Sequence, residues 1–150
     1  VSKSEHLFSK LLDTTSAVDL YKLFDLSASD YWQNHYRFDQ ESERISKNVG
    51  KTFVETLLIN SWIPLLFEYG VQHGDESRKD QALDLLQQIN PEKNHITKMW
   101  TSMGMEAADA GQSQAQIQLY NEYCKNKRCL DCRIGYQLLK PQRKKDITSQ

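Results

Sequence analysis

An all-α fold, an irregular bundle of about six to eight helices around a buried, proline-kinked central helix, is what this sequence predicts. Three observations carry that prediction. Three prolines and six glycines in 150 residues are too few for a turn-rich β protein or a disordered linker. Apolar residues recur at three- and four-residue steps along most of the chain. Between Lys51 and Tyr69 they cover nearly every direction of a helical wheel, the mark of a central helix around which others pack. At 17.5 kDa, with 39% hydrophobic residues, the chain suits a single helical domain over residues 1–150.

The elements follow in chain order. Leu7, Phe8, Leu11 and Leu12 form one short amphipathic pattern, and Val18, Leu20, Tyr21 and Phe24 form a second. Asp13-Thr14-Thr15-Ser16 between them supplies acceptors that can cap the second helix. The aromatic stretch Tyr31–Phe38 has no clear period and reads as an ordered, packed connection. In the central run, Pro64 lacks a backbone donor and crowds the carbonyl four residues earlier, so a kink or break near residues 60–63 is expected, with Gly70 capping the end.

Ala82, Leu85, Leu86 and Ile89 follow the i, i+3, i+4, i+7 rule of a one-faced helix ending at Asn90-Pro91. Asn90 as N-cap and Pro91 at the first helical position would open the next helix, carrying Ile96, Met99, Trp100 and Met103 and stopping at Gly104. Asn94 and His95 beside Glu92 and Lys93 form a polar helix start for which capping is explanation enough. Ser113 followed by Gln116 fits a capping box for a helix bearing Ile117, Tyr120 and Cys124. Ile134, Leu138 and Leu139 mark a last helix, and residues 141–150 read as a frayed basic tail.

Charge is unevenly spread. The chain sums to −1, but residues 121–150 hold eight basic against three acidic residues, a balance of +5 that leaves −6 on the first 120. Near-neutrality overall gives no reason to expect nucleic acid or a membrane surface as partner. The basic end does: Lys125, Lys127, Arg128 and Arg133, with Lys140, Arg143, Lys144 and Lys145 beyond, could contact phosphates. An ordinary solvated end is the plainer reading. No stretch is long and apolar enough for a membrane span, and the N-terminus lacks both a signal-peptide pattern and an initiator Met, which suggests a trimmed chain or an excised fragment.

All three cysteines lie within nine positions, as Cys124-x4-Cys129-x2-Cys132. The nearby cations and a helix start would favour thiolates, which bind zinc or an iron–sulfur cluster. The fourth ligand such a site needs is not among the cysteines, and His6, His35, His73 and His95 offer no choice by spacing. Reduced structural thiols, or a redox pair of Cys129 and Cys132, are the alternatives. An odd, clustered set points to a reducing cytoplasm rather than a disulfide framework. His35 and Arg37 in the aromatic stretch, with His95 more distantly, are the only residues that suggest a catalytic pocket, and a core-packed loop is the plainer reading of them. Phosphate-binding, dinucleotide, nucleophile-elbow and zinc-protease signatures are absent.

The strings Tyr31-Trp32, His35-Tyr36-Arg37-Phe38, Leu58-Ile59-Asn60, Pro64-Leu65-Leu66, Tyr69-Gly70, Glu92-Lys93-Asn94, Ser113-Gln114, Leu119–Cys124 and Arg128–Gly135 resemble the C-terminal part of the bacterial domain-of-unknown-function family 2851. The resemblance implies a longer parent with an N-terminal part similar to a restriction-endonuclease-type nuclease, none of whose catalytic residues map onto this chain. The expectation is therefore a non-catalytic helical accessory module that partners the missing N-terminal part of its parent or contacts nucleic acid through its basic end. A small stand-alone enzyme around His35 and Arg37, or a pure protein-interaction module, is the alternative.

Overall fold

The structure, a computed structural model, describes residues 6–140, so the tail 141–150 lies outside the described residues. The α-helices are α1 (Leu7–Asp13), α2 (Ala17–Leu23), α3 (Asp30–Gln33), α4 (Lys51–Leu57), α5 (Ile63–His73), α6 (Glu76–Gln88), α7 (His95–Ser102), α8 (Ala110–Leu119) and α9 (Arg133–Leu139). A small antiparallel hairpin, β1 (His35–Arg37) and β2 (Gln40–Glu41), follows α3, with His35 opposite Glu41 and Arg37 opposite Gln40. The all-α irregular bundle is as the sequence predicts.

The central helix runs through Pro64 without breaking. Leu58–Trp62 forms a π-helical turn between α4 and α5, in which the Ile63 N–H reaches back to Leu58 O. Widening the turn by one residue absorbs the donor that Pro64 lacks and eases its ring past the preceding turn. One face of this helix makes the core: Val54, Leu58, Ile59, Trp62, Ile63 and Leu66 pack with Leu20, Ala82, Leu85 and Ile89. The other face departs from the expected all-round burial, because Phe53, Leu65 and Phe67 are exposed.

Gly70 is not the cap. It lies inside α5, and a Cβ there would come within 2.8 Å of Lys79 Cγ and 2.9 Å of Asp75 O, so its bareness lets α6 approach α5. The cap is Gly74, at φ 63°: the Gly74 N–H donates to Val71 O and the Asp75 N–H to Gly70 O, closing a Schellman motif. The Asp75 carboxylate then caps α6 by accepting from the Ser77 and Arg78 N–H groups.

Three other helix starts differ from expectation. Ser16 makes no side-chain cap on α2, and the Ala17 N–H is satisfied by Gln88 Oε1 at 3.0 Å. Gln81, buried in α6, donates to the carbonyls of Leu12 and Thr14, so α6 supplies what the α1–α2 connection cannot make locally. α7 is capped by Asn94 rather than Asn90, in a reciprocal box with Thr97. α8 is capped by Asp109, and Ser113 sits buried within the helix, accepting from the Glu92 N–H. These choices fix the loop from Ile89 to Asn94 against α8.

Candidate functional site

Three regions could carry function: the aromatic segment, a cleft beside α4, and the cysteine-bearing end. In the first, His35 is buried and its ring lies flat on Tyr31 with centroids 4.0 Å apart. Its Nδ1 stands 2.8 Å from Tyr31 O and 3.0 Å from Asn34 Oδ1, so its partners are a backbone carbonyl and an amide oxygen. Trp32 and Phe38 pack edge-on at 5.0 Å, and Lys47 Nζ donates to His35 O. Arg37, next but one to His35 on β1, is exposed. The geometry is that of a packed turn, and neither His35 nor Arg37 lines any of the four best-formed cavities.

A cavity of about 870 Å³ opens between α4 and the connections on either side of α7. Sequence reasoning missed it, because it gathers Lys51, Glu55, Asn90, Glu92, Lys93 and Glu106 from three separate segments. Only the pairing of Lys51 with Glu55 one turn apart hinted at it. Glu55 Oε1 accepts from the Tyr21 hydroxyl at 3.2 Å and from Asn90 Nδ2 at 2.7 Å, with Lys51 Nζ at 3.9 Å. Burial, and then the charge and hydrogen bond of Glu55, push the Tyr21 phenol up to about 12. Glu92 accepts from Asn94 Nδ2 and Gln114 Nε2. Two of the cleft's carboxylates thus already serve as tie points between α2, α4, α8 and the α6–α7 connection. This makes the wall a structural network.

At the end of the chain, α8 runs into a second π-helical turn, Tyr120–Cys124. The chain then reverses through Lys127, at φ 54°, with the Arg128 N–H donating to Tyr123 O and the Cys132 N–H to Arg128 O. α9 packs against this turn at Gly135, where a Cβ would come within 2.5 Å of Cys129 O. All three cysteines are free thiols; Cys124 and Cys129 are exposed and Cys132 is buried. The Cys124 thiol is pushed up, first by burial and then by Cys132 and Cys129. Among the described residues no group of three or more His, Cys, Asp or Glu side chains is arranged to hold a metal ion, so the expected three-cysteine site is not assembled there.

The feature that sequence reasoning passed over is apolar. α9 buries none of its side chains: Ile134 is 58% exposed, Leu138 80% and Leu139 60%, and Leu130 in the preceding turn is 73% exposed. Ile134 and Leu138, one turn apart, share a face. Lys125, Lys127, Arg128 and Arg133 surround these residues in sequence, all exposed. A groove of about 400 Å³ between α5 and α6, lined by Pro64, Phe67, Leu83 and Leu86 among others, is a second apolar surface. No helix among the described residues is long and apolar enough to cross a membrane.

Against known proteins, the sequence model of the family described as "Protein of unknown function (DUF2851)" matches residues 1–95. The matched stretch holds the aromatic segment, the central helix and α6; α8 and the cysteine-bearing end lie beyond it. No curated protein and no solved structure matches the chain. With the match covering well over half of its length, this chain belongs to that DUF2851 family of unknown function.

Proposed function

We propose that the chain is a non-catalytic helical docking module whose cysteine-bearing turn and α9 form the surface that meets a partner polypeptide. One observation carries this reading: α9 keeps Ile134, Leu138 and Leu139 in solvent and contributes no buried side chain to the core. A helix of seven residues is marginal in water on its own, and large apolar side chains gathered on it are the usual mark of an interaction site. At roughly 1.5–3 kcal/mol for each large apolar side chain buried, covering these three and Leu130 returns on the order of 6–12 kcal/mol before the costs of association.

Two rival readings draw less support. Enzyme chemistry around His35 and Arg37 draws little support, since His35 Nδ1 is engaged by Tyr31 O and Asn34 Oδ1 and neither residue lines one of the best-formed cavities. Nucleic-acid contact through Lys125, Lys127, Arg128 and Arg133 has the charge and one exposed aromatic, Tyr136, but the exposed surface there is mostly Leu130, Ile134, Leu138 and Leu139, which offer a base nothing to stack on. The partner we favour is the remainder of a longer parent chain, which such a module would hold in place. Three free thiols suit a reducing compartment such as the cytoplasm.

Photo-crosslinking residues placed at position 134 or 138, with position 84 on the exposed face of α6 as control, test the reading in the cells that make the protein. Discrete protein adducts from 134 and 138 but not from 84 are expected. Adducts to nucleic acid alone, or the same pattern at all three positions, would contradict it.

A further inference from the structure

Docking surfaces differ in what they select, and the charges around α9 narrow the choice. Arg128 is occupied, its Nε 3.1 Å from Asp131 Oδ2. Lys125, Lys127, Arg133 and Lys140 form no ion pair among the described residues. All four are exposed, as are Leu130, Ile134 and Leu138. In the stretch 122–140 the only carboxylates are Glu122 and Asp131, and Asp131 is already paired. The result is a set of exposed apolar side chains interspersed along the chain with cations that make no ion pair among the described residues, on a molecule whose first 120 residues carry −6.

Resting on the docking reading above, we infer that the occupant of this surface is an acidic amphipathic helix: an apolar stripe that covers Leu130, Ile134 and Leu138, flanked by carboxylates that meet Lys125, Lys127, Arg133 and Lys140. The complementarity runs both ways. Leucine and isoleucine give nothing to a phosphate backbone, and a neutral or basic helix would cover the strip but leave the cations facing like charge or none. Helix-in-groove recognition reads such stripes at three- and four-residue spacing, the spacing that Leu130, Ile134 and Leu138 themselves keep. Rim charges of this kind act mostly on selectivity and association rate, while the apolar strip supplies the hold.

The test uses the 150-residue chain and synthetic helical peptides that share one apolar stripe and differ only in flanking residues: Glu, Gln or Lys. Binding is followed by titration calorimetry and by amide shifts in α9. The Glu peptide is expected to bind at α9 about tenfold more tightly than the Gln peptide, with the margin lost at high salt. Reversing Lys125, Lys127 and Arg133 to Glu is expected to transfer the preference to the Lys peptide. Equal binding of all three peptides overturns the acidic partner but leaves docking intact. No α9 shift with any peptide overturns the inference. Binding of single-stranded RNA at α9 that survives Ile134→Asp and Leu138→Asp overturns the docking reading as well.

Discussion

Gly70 and Gly135 show how much of this structure turns on a missing methyl group. Each sits where a neighbouring backbone comes closer than a side chain would allow, Asp75 O at one and Cys129 O at the other. At Gly70 the contact is inside the α5–α6 pair that builds the core, so Gly70→Ala is expected to lower the unfolding free energy in urea by about 1–3 kcal/mol. Gly135→Ala acts on a helix that contributes nothing buried, and should shift α9 amide signals while leaving the urea midpoint nearly unchanged. Tyr21 gives a prediction of a different kind. Its phenol is raised from 10.0 to about 12 in the folded chain, so between those values the unfolded state loses a proton that the folded state keeps. Stability present below pH 10 is therefore expected to fall as pH rises toward about 12. Comparing alkaline unfolding with Tyr21→Phe isolates the effect, and an unchanged slope in the variant would contradict it.

Helical elements were legible from sequence wherever an apolar stripe met the core. Ala82, Leu85 and Ile89 were read correctly as one buried face, as were Leu11 and Leu20. What the sequence hid is which polar residue would satisfy each helix start. Asn90 and Asn94 are both good caps by type, and only the packing of the preceding loop on Ser113 chooses the second. Ser16 makes no side-chain cap, and the Ala17 N–H is instead met by Gln88, 71 residues further on in α6. The effect of Pro64 is half legible: a disturbance near residues 60–63 follows from local chemistry, but its form, a π turn over 58–62 rather than a break, depends on neighbours that keep both halves in line. The cleft network of Tyr21, Glu55 and Asn90 was invisible for the same reason. Apolar periodicity in α9 was read, but periodicity cannot say whether the stripe faces a core or solvent. That difference sets a stability contrast. Leu58→Ala or Leu66→Ala, both at 0% exposure, should cost about 2–5 kcal/mol, whereas Ile134→Ser with Leu138→Ser should stay within about 0.5 kcal/mol of the parent.

Across the whole molecule, a core drawn from α1, α2, α4–α6 and the start of α8 is followed by a reversing turn and an α9 that shares none of that core. The family match covers most of that core and ends at His95, the first residue of α7. An acidic body thus carries a basic, apolar end, and the proposal that this end docks a partner explains why its leucines stay outside. Hydrogen exchange on the 150-residue chain tests that claim most directly, because a helix lacking tertiary support opens by itself. The amides of α9 are expected to exchange orders of magnitude faster than those of α5 and α6 in the free chain, and to become protected when the acidic peptide is bound. Protection of α9 equal to that of α5 and α6 in the free chain would show that the helix already has its partner within the fold, and would contradict the docking account.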